Sequence, residues 1–202
     1  MPVFQSKRLI IATHNAGKAA EFAALFRPFN VETVSAADLN LLVPDETEDT
    51  FVGNARLKAR AASAATGLPA LADDSGITVD GLDGAPGVYT ADWAETPDGR
   101  NFDLAMARTW EMLELRNAPF PRRAQFRCAL VMARPTGSEV VCEGMVSGQV
   151  VWPKRGRLGH GFDPIFLPDG QSLTFGEMDQ PAKNQISHRA RAFDVLIRKC
   201  FT

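Results

Sequence analysis

The chain has 202 residues, enough to bury a substantial core as one large domain or two lobes. Its 45% hydrophobic and 23% charged residues are a globular composition, which excludes disordered and fibrous classes. The 22 Lys and Arg nearly balance the 24 Asp and Glu; a net charge of −2 argues against a nucleic-acid or anionic-membrane binder but leaves room for a small anion held by local cations. No apolar run approaches the ~20 residues of a bilayer span. The N-terminus lacks the layout of a secretory signal, so the expected compartment is the cytoplasm. Cys128, Cys142 and Cys200 are odd in number and scattered, which favours free buried thiols over a disulfide framework or a zinc site.

In chain order, Arg8 to Thr13 reads as a short buried strand running into the turn His14-Asn15-Ala16-Gly17. A helix follows, with Phe22, Leu25 and Phe26 on one face before Pro28. A second helix is expected from Thr50 to Thr66, with Thr50 as N-cap and Gly67 as the stop. Leu68 to Ala72 reads as a strand delivering Asp73-Asp74-Ser75-Gly76 at its end, and Ile77 to Val79 as extended. Gly81 to Ala91, rich in Gly and Pro, is expected to be loop. Asn101 to Arg116 forms a third helix with Leu104, Ala107, Met112 and Leu115 on its apolar side. Ala124 to Ala133 and Glu139 to Trp152 pair through the turn Pro135-Thr136-Gly137-Ser138, and a last helix runs from Ser187 to Cys200. Strands alternate with helices and then pair as a hairpin, so the expected class is α/β with a mixed sheet, 1–202 forming a single domain.

Three clusters look chemical. At Thr13-His14-Asn15-Ala16-Gly17-Lys18 a turn opens a helix, pointing unpaired N–H groups and the positive dipole end outward. Gly17 lets an anion approach, and Lys18 adds a charge that the helix start disfavours unless an anion is bound; an ordinary strand–helix turn is the plain alternative. Asp73 and Asp74 are consecutive carboxylates whose repulsion a hard divalent cation relieves, against the plain reading of an Asp-rich turn. The denser run Asp45-Glu46-Thr47-Glu48-Asp49 reads first as acidic residues favouring a helix N-terminus. Lys183, Ser187, His188, Arg189 and Arg191 put cations near the start of the last helix, where either an anion or plain solvation accounts for them. Two cationic helix starts and a carboxylate pair suggest a polyphosphate bridged by Mg²⁺, while the absence of His/Cys ligand spacing points away from zinc.

These motifs, together with Gly84-Ala85-Pro86-Gly87-Val88-Tyr89, Gly161-Phe162-Asp163-Pro164-Ile165-Phe166 and Ile186-Ser187-His188-Arg189, occur in an order that resembles the inosine/xanthosine triphosphate pyrophosphatases, the house-cleaning dITP/XTP enzymes. The likeness spans nearly the whole chain. It implies an elongated mixed sheet flanked by helices in two lobes with an active-site cleft between them, Mg²⁺ dependence and a homodimer. Carried over by position, Thr13, His14, Asn15, Ala16, Gly17 and Lys18 hold the triphosphate, and Asp74 is catalytic base and metal ligand. Asp73 and Glu46 support the metal, the choice between Asp45 and Glu46 staying open, and Ser75 contacts substrate. His160, Gly161, Phe162, Asp163, Lys183, His188 and Arg189 line the nucleotide and base pocket. Phe162 stands where the family usually has Tyr, and His160 where Phe is common. The expected activity is hydrolysis of ITP, dITP or XTP to the monophosphate and pyrophosphate, with no nucleic-acid or membrane partner. A Maf-type nucleotide pyrophosphatase of other base preference and a non-hydrolysing nucleotide sensor are the alternatives. The His188-Arg189 pair speaks against the first, and Asp73, Asp74 and Lys18 against the second.

Overall fold

The computed structural model describes residues 4–201. Its strands form a six-stranded sheet in the order β2-β1-β3-β6-β7-β8 and a small two-stranded sheet of β4 and β5. The pairs β1–β2 and β1–β3 are parallel and β7–β8 is antiparallel, so the sheet is mixed and the chain α/β, as expected. The chain divides into two compact units, with breaks at 74/75 within β3, 128/129 within β6, 143/144 within β7 and 191/192 within the last helix.

The first unit comprises residues 4–74, 129–143 and 192–201. It holds β1 (Arg8–Ile11), α1 (Ala16–Phe26), β2 (Glu32–Ser35) and α2 (Phe51–Thr66). To these it adds the first half of β3 (Ala70–Val79) and parts of β6 (Arg123–Ala133), β7 (Glu139–Val150) and α5 (His188–Cys200). α2 begins at Thr50, whose side chain accepts from Gly53 N, and stops at Gly67, which takes a left-handed φ of 66°. Its inner face is small: Ala55, Ala59 and Ala62 let the helix lie close to Ala70 and Ala72 of β3. β2, too short and polar to stand out in the sequence, is held by its register with β1, Arg8 to Glu32 through Ile11 to Ser35.

The second unit comprises residues 75–128 and 144–191. It holds β4 (Glu95–Thr96), β5 (Gly99–Arg100), α3 (Phe102–Leu115), β8 (Phe166–Pro168) and α4 (Gln180–Ile186), with the remaining parts of β3, β6, β7 and α5. Its core gathers Ile77, Leu82, Met106, Leu113, Phe126, Phe166 and Phe175, with Phe126 edge-on to Phe166 at 4.7 Å. The stretch Gly81 to Ala91, expected as plain loop, contains short 3-10 turns at Asp80–Leu82 and Gly87–Thr90.

Three expectations change. β3 does not end at Ala72: it runs unbroken from Ala70 to Val79, so Asp73 and Asp74 lie within the strand, both buried, and are not turn residues. Of the expected apolar side of α3, Met112 packs partly buried against the core, but Leu104 and Leu115 do not. The helix buries Ala105, Met106, Thr109 and Leu113 instead and leaves Leu104 56% and Leu115 81% exposed. Finally, Lys183 belongs to a separate helix, α4, in whose last turn a cation is favoured by the dipole; only His188, Arg189 and Arg191 stand at the start of α5.

Candidate active site

In the first unit, β1 ends at Ile11 and the chain turns into α1 through Thr13 to Asn15. Asn15 is the N-cap, its Oδ1 accepting from Lys18 N at 3.1 Å, while Thr13 Oγ1 accepts from Asn15 N at 3.2 Å. These bonds shape a helix start with His14, Asn15, Ala16 and Gly17 exposed to solvent. The first turn of α1 contains no acidic residue to answer its dipole. His14 turns aside: its Nε2 lies 2.8 Å from the Leu41 carbonyl, joining the turn to the segment that carries Glu46.

Lys18 has a partner already. Its ammonium donates to both oxygens of Asp73, at 3.1 and 2.9 Å, and Asp73 is almost wholly buried. A second lysine that the sequence reading missed, Lys58 of α2, pairs with Glu46 and lies 3.8 Å from Asp74 Oδ1. Asn54, also missed, is buried one turn earlier on the same helix. Its Nδ2 donates to Asp74 Oδ2 at 3.3 Å, and its Oδ1 accepts from Glu48 N at 3.0 Å. A cavity of about 160 Å³ opens among Thr13, His14, Lys18, Glu46, Lys58 and Asp73, walled on one side by Leu41 to Pro44.

The electrostatics single out Asp74. Burial pushes its carboxyl up from 3.8 to about 6; Lys58 opposes the rise, Glu46 adds to it, the Asn54 hydrogen bond opposes it, and Asp73 adds to it. A carboxyl poised near 6 is ionised at neutral pH yet basic enough to take a proton, which is the setting a general base needs. Among the described residues no group of three or more His, Cys, Asp or Glu side chains converges as a ready metal cage.

In the second unit, Arg189 Nη2 donates to Ser75 Oγ at 3.4 Å, so the start of α5 meets β3 one residue past Asp74. His188 is buried with its ring stacked on Phe126, centroids 5.0 Å apart and planes 10° off parallel. The Asp163 carboxylate, also buried, accepts from Lys183 Nζ and from His160 N. Gly159 is required there: its φ is 76°, and a Cβ would meet Asp163 Oδ2 at 2.0 Å. His160 is exposed and Gly161 half-buried. Phe162 is 1% exposed and lies edge-on to Phe102 in the core, with no open stacking face.

A buried carboxyl, an exposed helix start and two lysines stand close together in an α/β frame, an arrangement suited to phosphate chemistry. The chain belongs to the Ham1 family, whose model matches residues 9–199. It is 60% identical over 198 residues to a dITP/XTP pyrophosphatase of Ruegeria pomeroyi, covering 98% of this chain and 97% of that protein. It is 55% identical over 189 residues to one of Caulobacter vibrioides, covering 94% and 95%. Among solved structures, a HAM1 protein from Coxiella burnetii superposes with a TM-score of 0.89 at 34% identity, covering 95% of this chain and 97% of that one.

Proposed function

We propose that this chain hydrolyses non-standard purine nucleoside triphosphates, ITP, dITP and XTP, to the monophosphate and pyrophosphate. The observation that carries the reading is Asp74: a buried carboxyl held near 6, beside Lys58 and next in the strand to the Lys18–Asp73 pair, on a chain whose curated relatives are named dITP/XTP pyrophosphatases. Asp74 takes the proton of a water whose oxygen attacks the α-phosphorus. The bond from that phosphorus to the bridging oxygen of the β-phosphate breaks, and pyrophosphate leaves. The N–H groups of Thr13 to Lys18, the Lys18 ammonium and the Lys58 ammonium receive the charge gathering on it. Asn54 keeps the Asp74 carboxylate aimed.

Mg²⁺ fits these residues, with Asp74, Glu46 and Asp73 as the ones that would hold it. Glu46 and Asp73 act on Asp74 closely enough to raise its pKa, and a hard dication is the natural relief of that crowding. Mg²⁺ takes one or two carboxylates and completes its shell with phosphate oxygens and water, so a ready three-carboxylate cage is not needed. When bound, it would neutralise phosphate charge as a Lewis acid.

Base selection falls to His160, Gly161, Asp163, Lys183, His188 and Arg189, with Ser75 bonded to Arg189. Donors from this set donate to the 6-keto oxygen of inosine or xanthine, whereas adenine presents an amino donor there and leaves them unpaired. Phe162, buried in the core, supports this loop from beneath. We further propose that the protein is a homodimer working in the cytoplasm; three buried free cysteines suit a reducing compartment, and among the described residues no helix is long and apolar enough to cross a membrane. The test is a substrate panel of ITP, dITP, XTP, GTP, ATP and dUTP with Mg²⁺, scoring pyrophosphate against phosphate. Pyrophosphate from the 6-keto purines is expected; release of single phosphates, or preference for ATP or dUTP, overturns the reading.

A further inference from the structure

Between β2 and α2 the chain passes along one wall of the cavity, and the first part of that passage is firmly built. Ala36 N donates to the Ile11 carbonyl at 2.8 Å, Leu41 N donates to the Ala36 carbonyl at 3.0 Å, and Asn40 takes a left-handed φ of 51°. The Leu41 side chain packs against the cluster of Ile10, Ala62 and Ala70. Beyond Leu41 that support ends. Residues 42–50 form neither helix nor strand, and none of their side chains is buried; Leu42 is 91% exposed and Val43 63%. Apolar burial therefore contributes little to holding this strap, although it carries Glu46 to the site.

What fixes the strap is polar. Towards α2, Glu46 pairs with Lys58, and Glu48 N donates to Asn54 Oδ1. At the other end, His14 Nε2 lies 2.8 Å from the Leu41 carbonyl, a contact that joins residues 27 apart in the chain. A carbonyl only accepts, so the ring carries a proton on Nε2 and donates it. In this respect His14 differs from its neighbours in the turn. The Thr13 and Asn15 side chains accept from backbone N–H groups of the turn itself, and the Lys18 ammonium meets Asp73. The His14 ring alone among them reaches the strap. Partners that orient a metal-binding side chain without touching the metal typically change metal affinity or activity roughly 10- to 100-fold when they are removed.

We propose that His14 is a positioning residue for Glu46: its ring, through the Leu41 carbonyl, holds the strap beside the phosphate turn so that Glu46 meets the cation there. The inference rests on the Mg²⁺ reading above and adds the side chain that sets the approach of Glu46. His14 and Glu46 are both exposed, so variants at either position are expected to fold, and melting curves check this. The first measurement needs neither metal nor substrate: exchange of the Asn40, Leu41 and Glu48 amides, each hydrogen-bonded within the segment, followed by NMR in EDTA. His14→Ala is expected to speed their exchange roughly fivefold, the worth of one hydrogen bond, and His14→Gln, which keeps a donor of similar reach, to restore wild-type rates. The second is the Mg²⁺ concentration that gives half-maximal pyrophosphate release from ITP. His14→Ala is expected to raise it roughly tenfold and His14→Gln to leave it near the wild-type value. On a Glu46→Gln background, His14→Ala is expected to add less than twofold, because it acts through the carboxylate already removed. Unchanged exchange in His14→Ala, unchanged Mg²⁺ dependence, or effects of His14→Ala and Glu46→Gln that multiply in full each overturn the positioning role. A wild type whose rate is indifferent to Mg²⁺ overturns the metal reading instead.

Discussion

Replacing Asp74 by Asn separates its chemistry from its cost to the fold. The amide keeps the shape of the side chain and an oxygen that can still accept from Asn54. It cannot take a proton from water, so kcat should fall roughly 10²-fold or more, the scale of lost general-base catalysis. Stability should move the other way. The folded protein holds the Asp74 carboxyl near 6 against an ordinary 3.8, so keeping it ionised at neutral pH costs about 2–3 kcal/mol. Because the folded value lies above the unfolded one, the folded state binds the proton more tightly. The contribution is favourable below about pH 4 and is lost as pH rises through 6. Asn carries no such charge. Asp74→Asn should therefore be more stable than wild type by about 1–3 kcal/mol at pH 7.5, and the gain should shrink towards zero near pH 4. Urea unfolding of both proteins in EDTA at the two pH values measures this, with pyrophosphate release followed in parallel at pH 7.5. An Asp74→Asn enzyme that turns over within several-fold of wild type, or one no more stable at pH 7.5, refutes the placement of a costly buried base at this position.

Three further outcomes are expected. In the wild type, log kcat/KM should drop with a slope of about one per pH unit below about pH 6, as Asp74 gains its proton; a rate that stays flat to pH 4.5 contradicts a base poised there. Lys18→Ala should raise KM and lower kcat together, since pyrophosphate gains charge as it leaves, and should cost roughly 1–3 kcal/mol of stability because Asp73 keeps a buried charge without its ammonium. Unchanged kcat/KM in that variant would make the Thr13–Lys18 turn purely structural. Arg189→Ala should hurt ITP and XTP more than ATP, compressing the ratio about 10- to 150-fold, the worth of one hydrogen bond to a charged group; an equal loss on every triphosphate would assign Arg189 to phosphate instead.

The elements that announced themselves in the sequence did so through strong local chemistry. Thr50 and Gly67 bracket α2 because a side-chain oxygen and a left-handed φ leave little alternative at helix ends. The Pro135–Ser138 turn joins β6 and β7 where Gly137 takes a φ of 84°. What escaped notice depends on partners distant in the chain. β2 is a strand only by its pairing with β1, and β3 continues through two aspartates because Lys18, Asn54 and Lys58 meet them, as no propensity scale would foresee. Lys58 and Asn54 did leave a trace: polar residues at positions 50, 54 and 58 recur every four residues along a helix whose other buried residues are Gly53, Ala55, Ala59, Ala62 and Ser63.

Where local rules are broken, the breach itself is informative. Burial of Asp74 near Glu46 and Asp73, with two lysines set against three carboxylates, disfavours its charged form. That charge is the one the proposed mechanism uses, whereas the Asp163 carboxylate accepts from Lys183 and a backbone N–H. α3 presents the opposite breach, leucines where a solvated helix would place Lys or Glu. Sequence periodicity assigned those leucines to the core because it counts apolar residues, and an apolar face reads the same whether its own fold or a second chain covers it. Only burial tells the two apart: Ala105, Met106, Thr109 and Leu113 fill the inner side, and Leu104 and Leu115 stand in solvent.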